Sequence, residues 1–345
     1  MTSTPTDSPA SAYEGRTVLV TGGAGAIGSN LTAALLAAGA SVVVLDSMTA
    51  GYRWNLPRHD QLLVVEADIL DETALKRVFA ERPAVVFHLA AFFANQNSVD
   101  YPERDLMVNG LGTLRLLEYA TMTQVDRFVF TSSSSIYGTG APLPVPETHT
   151  SLHLSTPYQI TKLLGELYSN FYHHHHDLPI SSVRLFNSYG PGEVPGQYRN
   201  VIPNFLYWAL RGDPLPITGT GEETRDFTFV GDVVDGMLAC GSLPAAVGEV
   251  YNLAGGRQVS ILDLAQRVLK LTGSASEILH RPARKWDTKK RFEADTTKAR
   301  EQLAFRGTVE FDDGLARTHQ WFVDNWANIC DAASFGAGRS AAHGR

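Results

Sequence analysis

Tyr158 and Lys162 stand four residues apart in a segment whose pattern predicts a helix, so both side chains share one helical face. A phenol with an ordinary pKa near 10 is a poor base at neutral pH. A neighbouring ammonium stabilises the phenolate and lowers that pKa. Such a pair can take a hydroxyl proton while a hydride leaves the same carbon. Pro157 suits the first helical turn and sets Tyr158 near the helix start. Upstream, Thr131-Ser132-Ser133-Ser134-Ser135 closes an apolar run and aims hydroxyls toward the same place.

A second constellation supplies the hydride acceptor. Thr21-Gly22-Gly23-Ala24-Gly25-Ala26-Ile27-Gly28 follows the apolar run at 17–20 and opens a helical pattern. Gly22 permits a tight turn, Gly25 lets a pyrophosphate approach the backbone, and Gly28 lets helix and strand pack closely. The pyrophosphate would sit on free N–H groups at the helix start. Asp46 ends the next strand at the offset expected of a ribose-binding acid. Its carboxylate repels a 2′-phosphate, so NAD is expected rather than NADP. Asp68, after the third strand, either bonds the adenine amino group or caps a helix. Leu89-Ala90-Ala91 places small residues at the carboxyl end of the fourth strand, where open α/β sheets bind ligands.

These residues need a scaffold, and the pattern around them predicts one. Short apolar runs at 17–20, 41–45, 62–66, 85–88, 127–131 and 180–185 alternate with helical patterns, clearest at 27–38, 106–121 and 158–173. Continuous apolar runs mark strands buried on both faces. The expectation is an α/β fold, a Rossmann-type doubly wound parallel sheet with a smaller α/β substrate-binding lobe. Residues 14–186 would form the sheet domain, with a return segment near 227–250. Residues 187–226 and 251–330 would form the lobe, where Gly and Pro crowd the loops and helices are predicted at 201–211 and 262–272. Residues 1–13 and 332–345 read as disordered tails.

Bulk properties narrow the class. The 345 residues carry a net charge of −7, which argues against a nucleic-acid partner. No apolar run approaches a membrane span, and the N-terminus lacks the features of a signal peptide. Cys240 and Cys330 are the only cysteines, so a cytoplasmic setting without disulfides is expected. His173–His176 are consecutive and cannot share one helix face, and no Cys or acid completes a set, so no metal site is expected.

With these residues in view, the chain resembles an extended short-chain dehydrogenase/reductase of the NAD-dependent nucleotide-sugar epimerase/dehydratase family, and within it the UDP-glucose 4-epimerase type. The resemblance is carried by the glycine loop, His88-Leu89-Ala90-Ala91, Asn109-Gly110-Leu111-Gly112-Thr113, Ser132–Gly138 and Tyr158–Lys162. It continues through Arg184-Leu185-Phe186-Asn187-Ser188-Tyr189-Gly190-Pro191 and Arg225-Asp226-Phe227-Thr228-Phe229-Val230. It implies that Ser133 bonds the reacting sugar hydroxyl, Tyr158 is the base and Lys162 its partner. It adds Ala26, Ile27, Ile69, Asn109, Ser132 and Phe186 to the cofactor-binding residues. Ser134, Asn187, Val201, Asn204, Arg225 and Arg281 join Ser133 in holding a nucleotide sugar, with Arg225 on its diphosphate. A homodimer through helices 106–121 and 158–173 is also implied.

The resemblance leaves several reactions open. Dehydratases of this family carry Asp-Glu after the catalytic Ser/Thr, to protonate a leaving hydroxyl. Here those positions are Ser134 and Ser135. Epimerisation at C4 of a UDP-hexose, through a transient 4-keto sugar, is therefore the expected reaction. A UDP-uronic acid 4-epimerase or decarboxylase is the alternative, but the segment after Gly190-Pro191 carries Glu193 and no arginine before Arg199, which favours a neutral sugar. A catalytically silent NAD-sensing protein is opposed by the intact Ser133, Tyr158 and Lys162. Phe92–Asn97 replaces the commoner polar loop over the sugar, and Arg281-Pro282-Ala283-Arg284-Lys285-Trp286-Asp287 is either a phosphate-binding or a solvated loop.

Overall fold

The computed structural model describes residues 9–282 and 291–335. Its first half alternates strands and helices: β1 (Thr17–Thr21), α1 (Ala26–Ala37), β2 (Ser41–Asp46), β3 (Leu62–Glu66), α2 (Glu72–Ala80), β4 (Val85–His88), α3 (Asn95–Asp100) and α4 (Pro102–Asp105). A π-helical stretch over Leu106–Gly112 runs into α5 (Thr113–Met122), followed by β5 (Arg127–Ser133), α6 (Pro157–His176), β6 (Ile180–Leu185) and β7 (Asn187–Tyr189). The second half holds α7 (Val201–Arg211), β8 (Leu215–Thr218), β9 (Thr224–Phe229), α8 (Val230–Ser242), β10 (Val250–Leu253), β11 (Gln258–Ser260) and α9 (Ile261–Thr272). It closes with β12 (Ile278–Arg281), α10 (Thr297–Leu303), α11 (Phe311–Asp324) and α12 (Trp326–Ala332).

Seven parallel strands form one sheet in the order β10-β6-β5-β4-β1-β2-β3. The continuous apolar runs explain this arrangement, because strands covered on both faces bury every side chain. One face packs on α1 and α8 through residues such as Leu31, Leu35, Val233 and Met237. The other packs on α2, α5 and α6 through Leu75, Leu116, Leu117 and Tyr172. The chain crosses from β3 to β4 on the far side of β1. That reversal opens a crevice at the carboxyl ends of β1 and β4, where such folds bind ligands. A separate core around Phe205, Leu206, Ile217, Phe229, Leu264 and Phe322 joins α7, α9 and α11 to the small sheets β11-β9-β7 and β12-β8.

Three expectations change. Residues 9–13 are not a tail: Pro9–Tyr13 form a 3-10 turn, and the fully buried Tyr13 donates its hydroxyl to Leu238 O at 2.7 Å. One aromatic anchor outweighs the Ser/Pro-rich composition around it. At the other end, Ser334 bridges to Gly196, and Phe335 lies 5.3 Å from the Tyr207 ring and 5.1 Å from Trp208. The helix expected over 106–121 begins as a π-helix. Gly112 sits where a methyl group would lie 2.5 Å from Ile69 Cδ1, so the widened turn presses against the third crossover.

Candidate active site

The crevice deepens into a cavity of about 500 Å³. Its floor is the glycine loop. Gly22 holds φ at +72°, and a Cβ there would lie 2.7 Å from Ala90 N. Gly25 opens α1 with no side-chain cap, which leaves its first-turn N–H groups facing the cavity. Asp46 accepts from Ala24 N and Met48 N, each at 2.9 Å, which fixes its carboxylate at the cavity edge. Burial pushes its pKa above the usual carboxylate value, against the pull of those two N–H groups. Ala26, Ile27, Gly28, Asp68, Ile69, Leu89, Ala90 and Ala91 line the same cavity. Asp68 does not cap a helix; Asp71 caps α2 instead. Asp68 pairs with Arg104 and accepts from Leu70 N at 2.9 Å.

The catalytic candidates meet where β5 and α6 end on the cavity. Pro157 occupies the first turn of α6 and Thr156 caps it, so Tyr158 is set at the helix start. Tyr158 is buried and packs edge-on to Phe93 with ring centroids 6.0 Å apart, and both Tyr158 and Ser133 line the cavity. Burial drives the Tyr158 phenol pKa far above the ordinary value, and the neighbouring Ser133 hydroxyl opposes this only in part. Ser133 Oγ also accepts from Ser135 N at 3.2 Å. Lys162 Nζ donates to Thr131 O at 2.8 Å and lies 5.8 Å from the Tyr158 ring centroid. Burial lowers Lys162 to about 8, so it remains mainly a cation at neutral pH.

The far end of the cavity is built by the second half of the chain. Phe186, Asn187, Val201 and Arg225 line it, while Ser132 and Ser134 line the cavity beside Ser133. It continues into a second cavity of about 410 Å³, which Asn187, Val201 and Arg225 share and which Asn204 and Arg281 also line. Residues 92–97 cover the Tyr158 end. Ala283–Lys290, and with them most of the expected phosphate or solvated loop, lie outside the described residues.

Asn109 and Asn204 are both held by the protein itself. Asn109, expected among the cofactor contacts, does not line the cavity. Its Oδ1 accepts from Phe92 N at 2.8 Å and its Nδ2 donates to Asp105 Oδ1 at 2.8 Å, so it braces the wall rather than forming it. Asn204 spends both ends of its amide on Gly196, accepting at 2.9 Å and donating at 3.0 Å. It shapes the loop over the second cavity, which it also lines.

Sequence reasoning also missed contacts. Tyr198 donates to Asp100 Oδ2 at 2.9 Å, and Arg199 donates to Ala50 O at 2.7 Å, so neighbouring residues strap the second half onto the first. No spacing signals partners 98 and 149 positions apart. His173–His176 end α6 with their rings against Phe171 and Tyr172 and each other. Among the described residues no three metal-ligating side chains gather.

Residues 18–254 match the NAD dependent epimerase/dehydratase family. The chain belongs to that family. An epimerase from Methanothermobacter thermautotrophicus shares 52% identity and superposes with a TM-score of 0.94, covering 95% of this chain and 98% of that one. The UDP-glucose 4-epimerase of Mycolicibacterium smegmatis is 37% identical, over 88% of this chain and 97% of its own length. A Bordetella bronchiseptica enzyme solved with NAD+ is 37% identical with a TM-score of 0.80, covering 92% of this chain and 96% of that one.

NAD is the cofactor of this family, and the residues present fit it. The glycine cradle tolerates no side chain at Gly22 or Gly28. The hydroxyls of Thr131 and Ser132 are buried beside the cavity with no partner among the described residues. Unpaired buried hydroxyls are costly, and a bound polar ligand relieves them.

Proposed function

We propose that this enzyme interconverts a UDP-hexose and its C4 epimer. The observation that carries the proposal is the Ser133–Tyr158–Lys162 constellation with hydroxyls, not carboxyls, at Ser134 and Ser135. NAD, when bound, supplies the acceptor and later donor of a hydride. Tyr158, as the phenolate, would take the C4 hydroxyl proton at Oη and, as the phenol, return it to the C4 oxygen as the epimeric alcohol forms. Ser133 orients that hydroxyl, and Lys162 keeps a positive charge near the phenol. A proton acceptor held this far above its ordinary pKa by burial depends on such cations. Arg225 and Arg281 would hold the diphosphate, leaving the hexose ring free to present either face. Glu193, buried in the cavity wall, adds no positive charge that would hold a uronate there. Incubation with UDP-glucose alone is expected to yield UDP-galactose without added reductant. A product lighter by one water, or release of carbon dioxide from a UDP-uronic acid, would replace this reading with dehydration or decarboxylation.

A homodimer is proposed on the same basis. Leu106 and Met107 of the π-helix and Ile160, Leu167 and Phe171 of α6 are exposed apolar residues, and Leu167 leaves 57% of its surface in solvent. Such a patch supports pairing with a second copy. Light scattering at micromolar concentration should return twice the chain mass, and L167D combined with M107D should return one mass. A monomeric wild type would refute it. No helix among the described residues is long and apolar enough to cross a membrane. Cys240 and Cys330 are unpaired, which supports a cytoplasmic setting.

A further inference from the structure

Arg184 stands on β6, in register with Ser132 of β5 and just ahead of the cavity-lining Leu185 and Phe186. It is buried and does not line the cavity itself. Its donors are spent inside the protein. Nε and Nη2 donate to the two carboxylate oxygens of Glu166 on α6, at 2.9 and 2.8 Å. Nη1 donates to Tyr137 Oη at 2.9 Å and to the Glu147 carbonyl at 2.7 Å. The guanidinium also lies over the Tyr137 ring, 4.8 Å from its centroid. Four of its five N–H groups are thereby placed.

Each arm of this fork ends on an element that carries part of the catalytic set. Tyr158, Lys162 and Glu166 follow one another at steps of four, so they share one buried face of α6. Tyr137 closes the 3-10 turn Ser134–Tyr137, and Ser133 caps the start of that turn by accepting from Ser135 N at 3.2 Å. The hydroxyl that orients the sugar is therefore part of a turn whose far end Arg184 holds. Tyr137 Oη donates onward to Asn252 Oδ1 on β10 at 2.6 Å, and Asn252 N donates to Glu147 Oε1 at 2.8 Å. Tyr137 and Asn252 are fully buried, and their partners leave neither side chain room to swing. Stability alone does not call for such a pair, because apolar residues of similar volume often replace a buried ion pair without loss. What a planar, bidentate guanidinium adds is a fixed angle between its partners.

We propose that Arg184 is a positioning residue that sets the Ser133 turn and the Tyr158 helix at the spacing one sugar hydroxyl requires. This rests on Ser133 and Tyr158 acting on the same hydroxyl. Through Glu166 the guanidinium fixes α6, and through Tyr137 it fixes the turn that Ser133 caps. Loosening either arm leaves both catalytic side chains in the cavity but lets their separation drift. A misplacement of about 1 Å costs up to about 10²-fold in rate.

The test is the single-turnover rate constant of the NAD-loaded enzyme, with enzyme in excess over UDP-glucose and bound NAD quantified for every variant. An enzyme that is merely less stable loses active fraction, which leaves this rate constant unchanged. Glu166→Leu combined with Arg184→Met removes the tether without stranding a buried charge, and should lower the rate constant by about 10–100-fold. Y137F keeps the ion pair and cuts only the arm to the turn, and should lower it by about tenfold. In an S133A background, Y137F should cost no more than about twofold, because the group it positions is already gone. A folded, NAD-loaded Y137F with the wild-type rate constant, or with an undiminished loss beside S133A, would overturn the proposal. Y137F decides alone where the double variant does not fold. Failure of the parent reading would show separately, as near-wild-type turnover in Y158F.

Discussion

Replacing Tyr158 by Phe should lower turnover by about 10²–10⁴-fold while NAD stays bound, the span associated with losing a general base. The ring remains against Phe93 and the cavity wall, so only the hydroxyl is lost. In the proposed mechanism that hydroxyl is the group that accepts the substrate proton and gives it back. Ser133→Ala should cost less, because in the proposed mechanism Ser133 orients the sugar hydroxyl without being the final proton acceptor. Steady-state rates with NAD content measured in parallel separate chemistry from binding. A Y158F enzyme within a few-fold of wild type would remove Tyr158 from its role.

The second large effect is expected at Gly28. A methyl group there would lie 2.1 Å from Gly22 O and 2.7 Å from Gly23 Cα. Both are backbone atoms in the turn that cradles the pyrophosphate, so α1 must back away from β1. Overpacking of this kind costs about 1–3 kcal/mol. Expressed in the cradle, that weakens NAD by about 10–100-fold. Gly25→Ala has more room, with its nearest backbone neighbour at 3.3 Å, and should perturb the fold less. NAD titration and thermal melts of the two variants test this. G28A binding NAD as tightly as wild type would show that the loop is not the cradle.

Much of this site was legible because its parts obey local rules. Strands buried on both faces write continuous apolar runs, and all six predicted strands begin at the observed residue and end within two of it. Those at 62–66, 85–88 and 180–185 coincide with the observed strands. The glycine loop, Pro157 and the Tyr158–Lys162 spacing each depend on a few consecutive residues. What escaped depends on distant partners. Asn109 looked like a cofactor contact, yet its amide is used by Phe92 and Asp105. Tyr13 looked like tail until Leu238 supplied its acceptor. The straps from Tyr198 and Arg199 join segments that only the folded chain brings together.

The central claim is that one bound NAD takes a hydride from C4 and returns it to the other face of the same carbon. Substrate deuterated at C4 tests it most directly. The label should stay at C4 of the epimeric product, in water and without added reductant, while no NADH accumulates in solution. Product that has lost the label to solvent, or appears only as NADH is consumed stoichiometrically, would contradict it.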